Sequence, residues 1–170
     1  MGRRGHTLSA ARGEHQARGA MIEPLCLSFV VDCPVEHAFS VWTARTSSWW
    51  PATHTVSSEP GLEVVFQPRP GGRIFERTPA GAEIEWGEIT TWEPPGRLAY
   101  LWHIRDDRAD ATEVEIKFVD QGDATTRVDI EHRGWERLGT RGPGWREVNL
   151  GGWNGVLPHY RAACSSAGAS

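Results

Sequence analysis

The sequence predicts one α+β domain, in which a single long C-terminal helix packs on the concave face of a curved antiparallel sheet. Three features predict this fold class. Apolar residues alternate with period two in one early segment and in six later ones, turn residues join the later segments at hairpin length, and a helical stripe follows them. A sheet with connections this short twists and curls, so one long helix can close its concave side.

The first predicted elements are a strand and two short helices. Alternate apolar residues predict a strand within residues 23–32 that has one buried face: Leu25, Leu27, Phe29 and Val31. A stripe at helical spacing follows Pro34, which suits the first turn of a helix: Val35, Ala38, Phe39 and Trp42. Residues 44–50 predict a second short helix, which ends before Pro51.

Six strands in an antiparallel meander are predicted next. Turns rich in glycine and proline separate them. Their predicted ranges are 62–67, 73–78, 83–93, 97–103, 112–120 and 125–133. The last element is a helix from about residue 144 to residue 164, and Pro158 should kink it or remove one of its hydrogen bonds.

The two ends of the chain are expected to lie outside the domain, which is predicted to span residues 21–165. Residues 1–20 are rich in glycine, arginine and alanine and lack an apolar segment, so we expect a disordered extension. Met21 is an alternative translational start. Residues 166–170 are small and polar, so we expect a flexible tail.

Charge and cysteine content limit the classes of partner and compartment. The formal net charge is −4, and residues 1–20 are basic, so the rest of the chain is more acidic than the whole. This argues against a nucleic-acid partner, whose binding face would be basic. Cys26, Cys33 and Cys164 have neither CxxC nor zinc spacing, and no segment is long enough to insert across a membrane. We therefore expect a cytoplasmic protein without a metal ion or other cofactor.

Seven short motifs occur in an order that is typical of a known superfamily. They are Pro34-Val-Glu-His-Ala-Phe-Ser-Val-Trp42, Ser48-Trp-Trp-Pro51, Pro70-Gly-Gly-Arg73, Trp86-Gly-Glu-Ile89, Pro94-Pro-Gly-Arg-Leu98, Glu131-His-Arg-Gly-Trp135 and Gly151-Gly-Trp-Asn-Gly-Val-Leu157. In these motifs the chain resembles the START-like SRPBCC superfamily, and within it the bacterial proteins related to the C-terminal domain of the heat-shock-protein ATPase activator. The resemblance implies the helix-grip fold, with two short helices and one long C-terminal helix enclosing a cavity. It implies less about function, because members include lipid carriers, polyketide cyclases, hormone receptors and cochaperones.

Aromatic and polar side chains on the predicted inward faces indicate what such a cavity would hold. The chain has nine tryptophans against five phenylalanines and two tyrosines, and tryptophan supplies large flat apolar area with one N–H donor. The predicted ligand-binding residues are Trp50, Trp86, Glu88, Tyr100, Trp102, Phe118, His132 and Trp153. The leading hypothesis is a module that binds a small hydrophobic or amphipathic molecule, such as an aromatic one, between the sheet and the C-terminal helix.

Two of these residues, Glu88 and His132, are candidates for a catalytic acid and base. Each lies on the predicted inward face of its strand, where burial would raise the pKa of the Glu88 carboxyl group. Both also have structural interpretations. Glu88 would then pair at the rim with an arginine such as Arg73 or Arg97, and His132 would hydrogen-bond to backbone at the sheet edge.

The remaining alternatives concern the class of protein. The sequence lacks the GxxxxGK[ST], HExxH and GxSxG motifs, so an enzyme of cyclase or hydrolase type is less favoured than a binding module. A chaperone-associated interaction domain is a third hypothesis, which only the resemblance suggests. If the domain self-associates, a two-fold homodimer is the expected arrangement.

Overall fold

The computed structural model describes residues 21–167 of the chain. The predicted disordered extension, residues 1–20, and most of the predicted tail lie outside the described residues. Helix α1 spans Val35–Thr43, and helix α2 spans Gly142–Ala167. Four segments form 3-10 turns: Thr46–Ser48, Ala52–His54, Arg108–Asp110 and Trp135–Arg141.

Seven strands form one antiparallel sheet in the order β1-β7-β6-β5-β4-β3-β2. Their bounds are β1 Leu25–Val31, β2 Glu63–Phe66, β3 Arg73–Arg77, β4 Glu83–Glu93, β5 Arg97–Trp102, β6 Thr112–Gly122 and β7 Thr125–Arg133. Strands β2 to β7 follow one another as neighbours, so the predicted meander is confirmed, and β1 pairs with β7 at the far edge. Helices α1 and α2 pack together against the strands at that end of the sheet. The α+β helix-grip fold class is therefore confirmed.

Side chains of the central strands alternate between the two faces as the sequence predicts. Tyr100 of β5 lies opposite Val114 of β6, which lies opposite His132 of β7. Directly opposed residues share a face of the sheet, and all three of these side chains are buried. One position along, Glu113 and Arg133 meet on the outer face, where Nη2 of Arg133 donates to Oε1 of Glu113 at 2.6 Å.

Strand β4 departs from strict alternation at two β-bulges. Residue 74 of β3 lies opposite residue 87 and residue 75 lies opposite residue 85, so Trp86 is an extra residue on β4. Thr90 is skipped in the same way between β4 and β5. A bulge changes the face of the side chains that follow it. Trp86 therefore keeps its predicted inward position, whereas Glu88 turns outward, opposite Leu101.

The two helical regions near the site also differ from their predicted bounds. Residues 44–50 form only the 3-10 turn Thr46–Ser48, because hydroxyl groups compete for helical carbonyls. The hydroxyl of Thr46 donates to the carbonyl of Trp42 at 2.6 Å, and that of Ser48 donates to the carbonyl of Arg45 at 2.7 Å. Helix α2 is longer than predicted, since it continues through Pro158 and ends at Ala167.

Aromatic side chains occupy the space between the sheet and the two helices. Trp42 of α1 is fully buried, with its ring centroid 4.8 Å from that of Tyr160 and 6.1 Å from that of Trp153, both on α2. Trp49 and Phe118 of β6 lie on its other sides, at 5.4 and 6.5 Å. Aromatic pairs of this kind contribute about 0.5–1.5 kcal/mol each beyond the burial of their area. The centre of the fold is therefore a packed aromatic core.

The close approach of β4 and β5 at Gly87 gives a testable prediction. A Cβ atom on residue 87 would overlap the carbonyl oxygen of Leu101, so Gly87→Ala should force the strands apart. We expect the free energy of unfolding to fall by roughly 1–3 kcal/mol. Gly96→Ala is the matched control, because a Cβ atom there meets nothing within 4 Å. Chemical denaturation measures both variants, and equal loss of stability in the two would contradict the interpretation.

Candidate functional site

A cleft opens at one end of the sheet, between helix α2 and the segment that follows the first 3-10 turn. Its volume is about 310 Å³, and it is open to solvent on one side. Three parts of the chain form its walls: residues 50–54, residues 102–105 at the end of β5, and one face of α2 between residues 145 and 156. Size and concave shape are those of a site for a small molecule.

Four of the nine tryptophans line this cleft: Trp50, Trp102, Trp145 and Trp153. The ring centroid of Trp50 lies 5.9 Å from that of Trp102, and its indole N–H donates to the carbonyl of His54 at 3.1 Å. Trp50 is half-buried, whereas the adjacent Trp49 is 5% exposed and donates to a backbone carbonyl of α1. Trp50 is therefore a wall of the cleft, and Trp49 belongs to the core.

Glycines of helix α2 leave the space that the cleft occupies. Gly151 and Gly152 line it, and a Cβ atom on either would meet nothing within 4 Å. Gly155 admits the imidazole of His54, because a Cβ atom on residue 155 would lie 2.9 Å from Nε2 of that ring. Each glycine in a helix costs roughly 1 kcal/mol relative to alanine. Three glycines within five residues therefore destabilise the helix. Their lack of side chains leaves the cleft open at Gly151 and Gly152 and makes space for His54 at Gly155.

The cleft has one polar end, formed by Thr53, His54 and Arg105, and Asn149 of α2 is a further polar residue of its lining. Nη2 of Arg105 donates to the carbonyl of Thr55 at 2.5 Å, and the backbone φ of Arg105 is +60°, in the left-handed region that non-glycine residues rarely adopt. Nδ1 of His54 lies 3.1 Å from the hydroxyl of Thr53. Burial, and then the positive charge of Arg105, lower the pKa of His54 below its ordinary value, so its imidazole is neutral at pH 7.

A buried carboxylate anchors the chain just beyond this polar end. Glu76 of β3 is fully buried and accepts hydrogen bonds from the backbone N–H groups of Val56 and Ser57, from the Ser57 hydroxyl, and from the indole of Trp86. Desolvation raises the pKa of the Glu76 carboxyl group, but the four donors outweigh it and the net shift is downward. Glu76 was not among the predicted site residues, although the sequence holds a signal for it, an acidic side chain on the apolar face of a strand.

His132 lies outside the cleft lining, in a buried hydrogen-bond chain that joins the sheet to helix α2. The indole N–H of Trp153 donates to Nδ1 of His132 at 3.1 Å, and Nε2 lies 2.7 Å from the hydroxyl of Thr112. Because an indole only donates, Nδ1 carries no proton and Nε2 carries one. Burial lowers the pKa of His132 to about 3. Both ring nitrogens are engaged in hydrogen bonds within the core, and a role for His132 as a general base stays a hypothesis that would require one of these bonds to break.

Glu88 lies on the outer face of the sheet, where it forms an ion pair with Arg108. The extra residue at Trp86 is the cause, since it reverses the face that strict alternation predicts. The prediction that Glu88 is a carboxylate within a cavity is therefore wrong. His132 lies on the opposite face of the sheet, so the predicted acid–base pair is not assembled.

The other predicted ligand-binding residues fall into two groups. Trp50, Trp102 and Trp153 line the cleft, and their contact with a ligand stays a prediction. Three more point inward as predicted but are part of the packed core, with at most 4% of their surface exposed: Trp86, Tyr100 and Phe118. Neighbouring side chains fill the space between the sheet and the helices in which the sequence predicts a ligand.

Several lining residues were not among the predicted set: His54, Arg105, Trp145 and Asn149. The sequence holds a signal for Trp145, which precedes Gly152 by seven residues and so lies on the same face of α2. It holds no comparable signal for His54 and Arg105, which are in irregular segments far apart in the sequence.

Some site types find no support among the described residues. Within residues 21–166, no group of three or more histidine, cysteine, aspartate or glutamate side chains is arranged to hold a metal ion. None of the described helices combines the length and the apolar character needed to span a bilayer. Cys26 is exposed, Cys33 and Cys164 are buried, and all three are unpaired.

A protein-family model matches most of the folded part of the chain. Residues 32–159, from the end of β1 to the last third of α2, match the family described as activator of Hsp90 ATPase homolog 1-like protein. The chain belongs to this family. The matched range contains every residue that lines the cleft. No functionally curated protein matches the chain in sequence.

Several solved structures of similar proteins have the same helix-grip fold. One is an anthrahydroquino-γ-pyrone synthase, Txn09, which is 38% identical, with 73% of this chain and 84% of that chain covered and a TM-score of 0.53. A second is the self-sacrificing resistance protein CalC from Micromonospora echinospora, 25% identical, with 87% and 97% covered and a TM-score of 0.65. A third, CalU16 from the same organism, is 22% identical, with 81% and 71% covered and a TM-score of 0.53, and shows the fold alone.

The neutral, buried state of His132 predicts how stability depends on pH. Its pKa is about 3 in the folded chain and 6.5 in the unfolded chain, so below pH 6.5 the unfolded chain binds a proton that the folded chain does not. Lowering the pH from 6 to 5 should therefore cost about 1 kcal/mol of unfolding free energy at this residue, and the loss continues towards pH 3.

His132→Gln isolates this effect, because glutamine can accept from Trp153 and donate to Thr112 but does not titrate. Denaturation at pH 6 and pH 5 should show the stability advantage of the wild-type protein over the variant shrinking by about 1 kcal/mol. An advantage that stays constant between these pH values would contradict the buried, neutral imidazole.

Proposed function

We propose that the protein binds a small hydrophobic or amphipathic molecule in the cleft between the sheet and helix α2. The observation that carries this proposal is the convergence of Trp50, Trp102, Trp145 and Trp153 on one open space. Sites for small molecules are mostly apolar with a few placed polar groups, and this cleft combines aromatic walls with one polar end. The proposed binding site therefore lies at the mouth of the fold, whereas the sequence predicted one at its centre.

A planar aromatic ligand suits these walls best. Indole rings offer flat faces that favour offset stacking or edge contacts with another aromatic system. The relative that is 38% identical is named an anthrahydroquino-γ-pyrone synthase, and such a pyrone is a polycyclic aromatic molecule. That name supports the same chemical class of ligand for this chain.

A second candidate function is an enzyme that acts on a polycyclic molecule of this class. The identity of 38% with the synthase over 73% of the chain favours it. Glu88 and His132 lie on opposite faces of the sheet and outside the cleft lining, so His54 is the better placed of the three residues to accept a proton from a bound ligand.

The enzyme hypothesis is tested with an anthrahydroquinone that carries the open-chain precursor of the pyrone ring. Chromatography with mass detection should show the closed product with the wild-type protein and much less with His54→Phe, which retains a flat ring without nitrogen. Unchanged precursor in the presence of the wild-type protein would remove this candidate.

We also propose a cellular location and two kinds of protein partner. We place the protein in the cytoplasm, which the three unpaired thiols support, because reduced cysteines are typical of that compartment. The chaperone-associated role stays a hypothesis that the family description suggests, and the two-fold homodimer stays a prediction.

The binding proposal is tested by titration with anthraquinone-2-carboxamide, a neutral tricyclic probe. Contact with the four lining tryptophans should quench their fluorescence in a saturable way. No quenching at the solubility limit of the probe would count against a planar aromatic ligand.

Filling the cleft from helix α2 gives the matched variant. Gly152→Leu should weaken binding of the probe at least tenfold, because the side chain enters the open space, while the helix gains about 1 kcal/mol in intrinsic propensity. Gly144→Leu is the control, since residue 144 lies on the same helix in open space and outside the cleft. Wild-type affinity in Gly152→Leu would show that the probe binds elsewhere.

A further inference from the structure

The cleft contains one permanent charge, and that charge is positive. Of the lining side chains only Arg105 is ionised at pH 7, and no carboxylate belongs to the lining among the described residues. Arginines nearby are paired, Arg108 with Glu88 and Arg141 with Asp106. The hydrogen bonds of Arg105 within residues 21–166 go to carbonyl oxygens and to no carboxylate. A cation beside apolar walls favours a ligand that brings the opposite charge.

The position of Arg105 is set before a ligand arrives. Its Nη2 donates to the carbonyl of Thr55 at 2.5 Å and approaches that of Thr53 at 3.4 Å, so one nitrogen of the guanidinium holds the segment that forms the facing wall. The guanidinium has five N–H donors in a fixed plane. A group held in this way loses little conformational freedom when it binds a ligand, which favours affinity.

His54 places a neutral hydrogen-bonding group next to this charge. Arg105 and His159 of α2 are the charged or titratable groups that act on its imidazole, and both reinforce the effect of burial in lowering its pKa. The groups that shift the pKa of His54 include no carboxylate among the described residues. A neutral imidazole can accept a hydrogen bond from an acidic hydroxyl, and the neighbouring guanidinium stabilises the anion that forms.

We propose that Arg105 and His54 form a subsite for the acidic oxygen of an aromatic ligand. The preferred ligand is then a planar aromatic carboxylate or ionisable phenol, with its rings between the tryptophans and its oxygen at the polar end of the cleft. This inference rests on the proposed function, and it adds the charge of the ligand and its orientation in the cleft.

Three tricyclic probes of similar shape test the subsite: anthraquinone-2-carboxylate, anthraquinone-2-carboxamide and 2-hydroxyanthraquinone. Quenching of tryptophan fluorescence gives their dissociation constants. The carboxylate should bind about tenfold more tightly than the carboxamide at low salt, and its advantage should shrink as ionic strength rises. The bound phenol should ionise at a lower pH than the free phenol, which its visible absorption reports.

Arg105→Gln removes the charge and keeps a polar amide group at this position. We expect the carboxylate to bind this variant about tenfold more weakly, whereas the carboxamide binds it within twofold of the wild-type protein. Arg108→Gln is the matched control, because Arg108 is an exposed arginine of the same loop that pairs with Glu88 on the outer face. It should bind all three probes as the wild-type protein does.

The outcomes separate the subsite from the cleft itself. Loss of the preference for the carboxylate in Arg105→Gln alone supports the subsite. Equal binding of the carboxylate and the carboxamide to the wild-type protein overturns it, although the proposed function stands. Parallel loss of both probes in Arg105→Gln also overturns it, because Arg105 then acts only by holding the loop. Failure of all three probes to bind the wild-type protein overturns the subsite and the proposed function together.

Discussion

The structure depends on how the concave face of the sheet is filled. Trp42 projects from α1 into the centre of that space, and Tyr160 and Trp153 of α2 pack against it. The hydroxyl of Tyr160 also donates to the carbonyl of Ala38 at 2.7 Å, which ties the two helices together. Once these rings occupy the centre, the remaining room lies at the mouth of the fold, where Gly151 and Gly152 leave it.

Burial separates the polar groups of the core from those that line the cleft. Glu76 and His132 are fully buried, and each has hydrogen-bond partners within the core. Four donors keep the Glu76 carboxyl group ionised, whereas burial keeps the His132 imidazole neutral. Removing such a partner would leave a buried polar group unsatisfied, at a cost of about 1–3 kcal/mol. His54 and Arg105 are partly or largely exposed and face open space, so they remain available to a ligand.

Element order and the inward faces of β5, β6 and β7 could be predicted from the sequence, because short connections and strict alternation dictate both. The face of Glu88 could not, because the bulge at Trp86 has no signature in the alternation of apolar residues. The filled centre could not be predicted either, since the ring packing of Trp42 depends on side chains distant in sequence. For the same reason the polar end of the cleft, which joins His54 to Arg105 across about fifty residues, becomes visible only in three dimensions.

We infer that the ligand space lies at the mouth of the fold and not within the sheet. Each tryptophan has one indole N–H, so a 15N-labelled sample titrated with anthraquinone-2-carboxamide reports on each ring by nuclear magnetic resonance. The indole signals of Trp50, Trp102 and Trp145 should shift together and saturate, while that of Trp42 stays in place. Shifts of Trp42 without shifts of the cleft tryptophans would place the ligand in the core and contradict a binding site at the mouth of the fold.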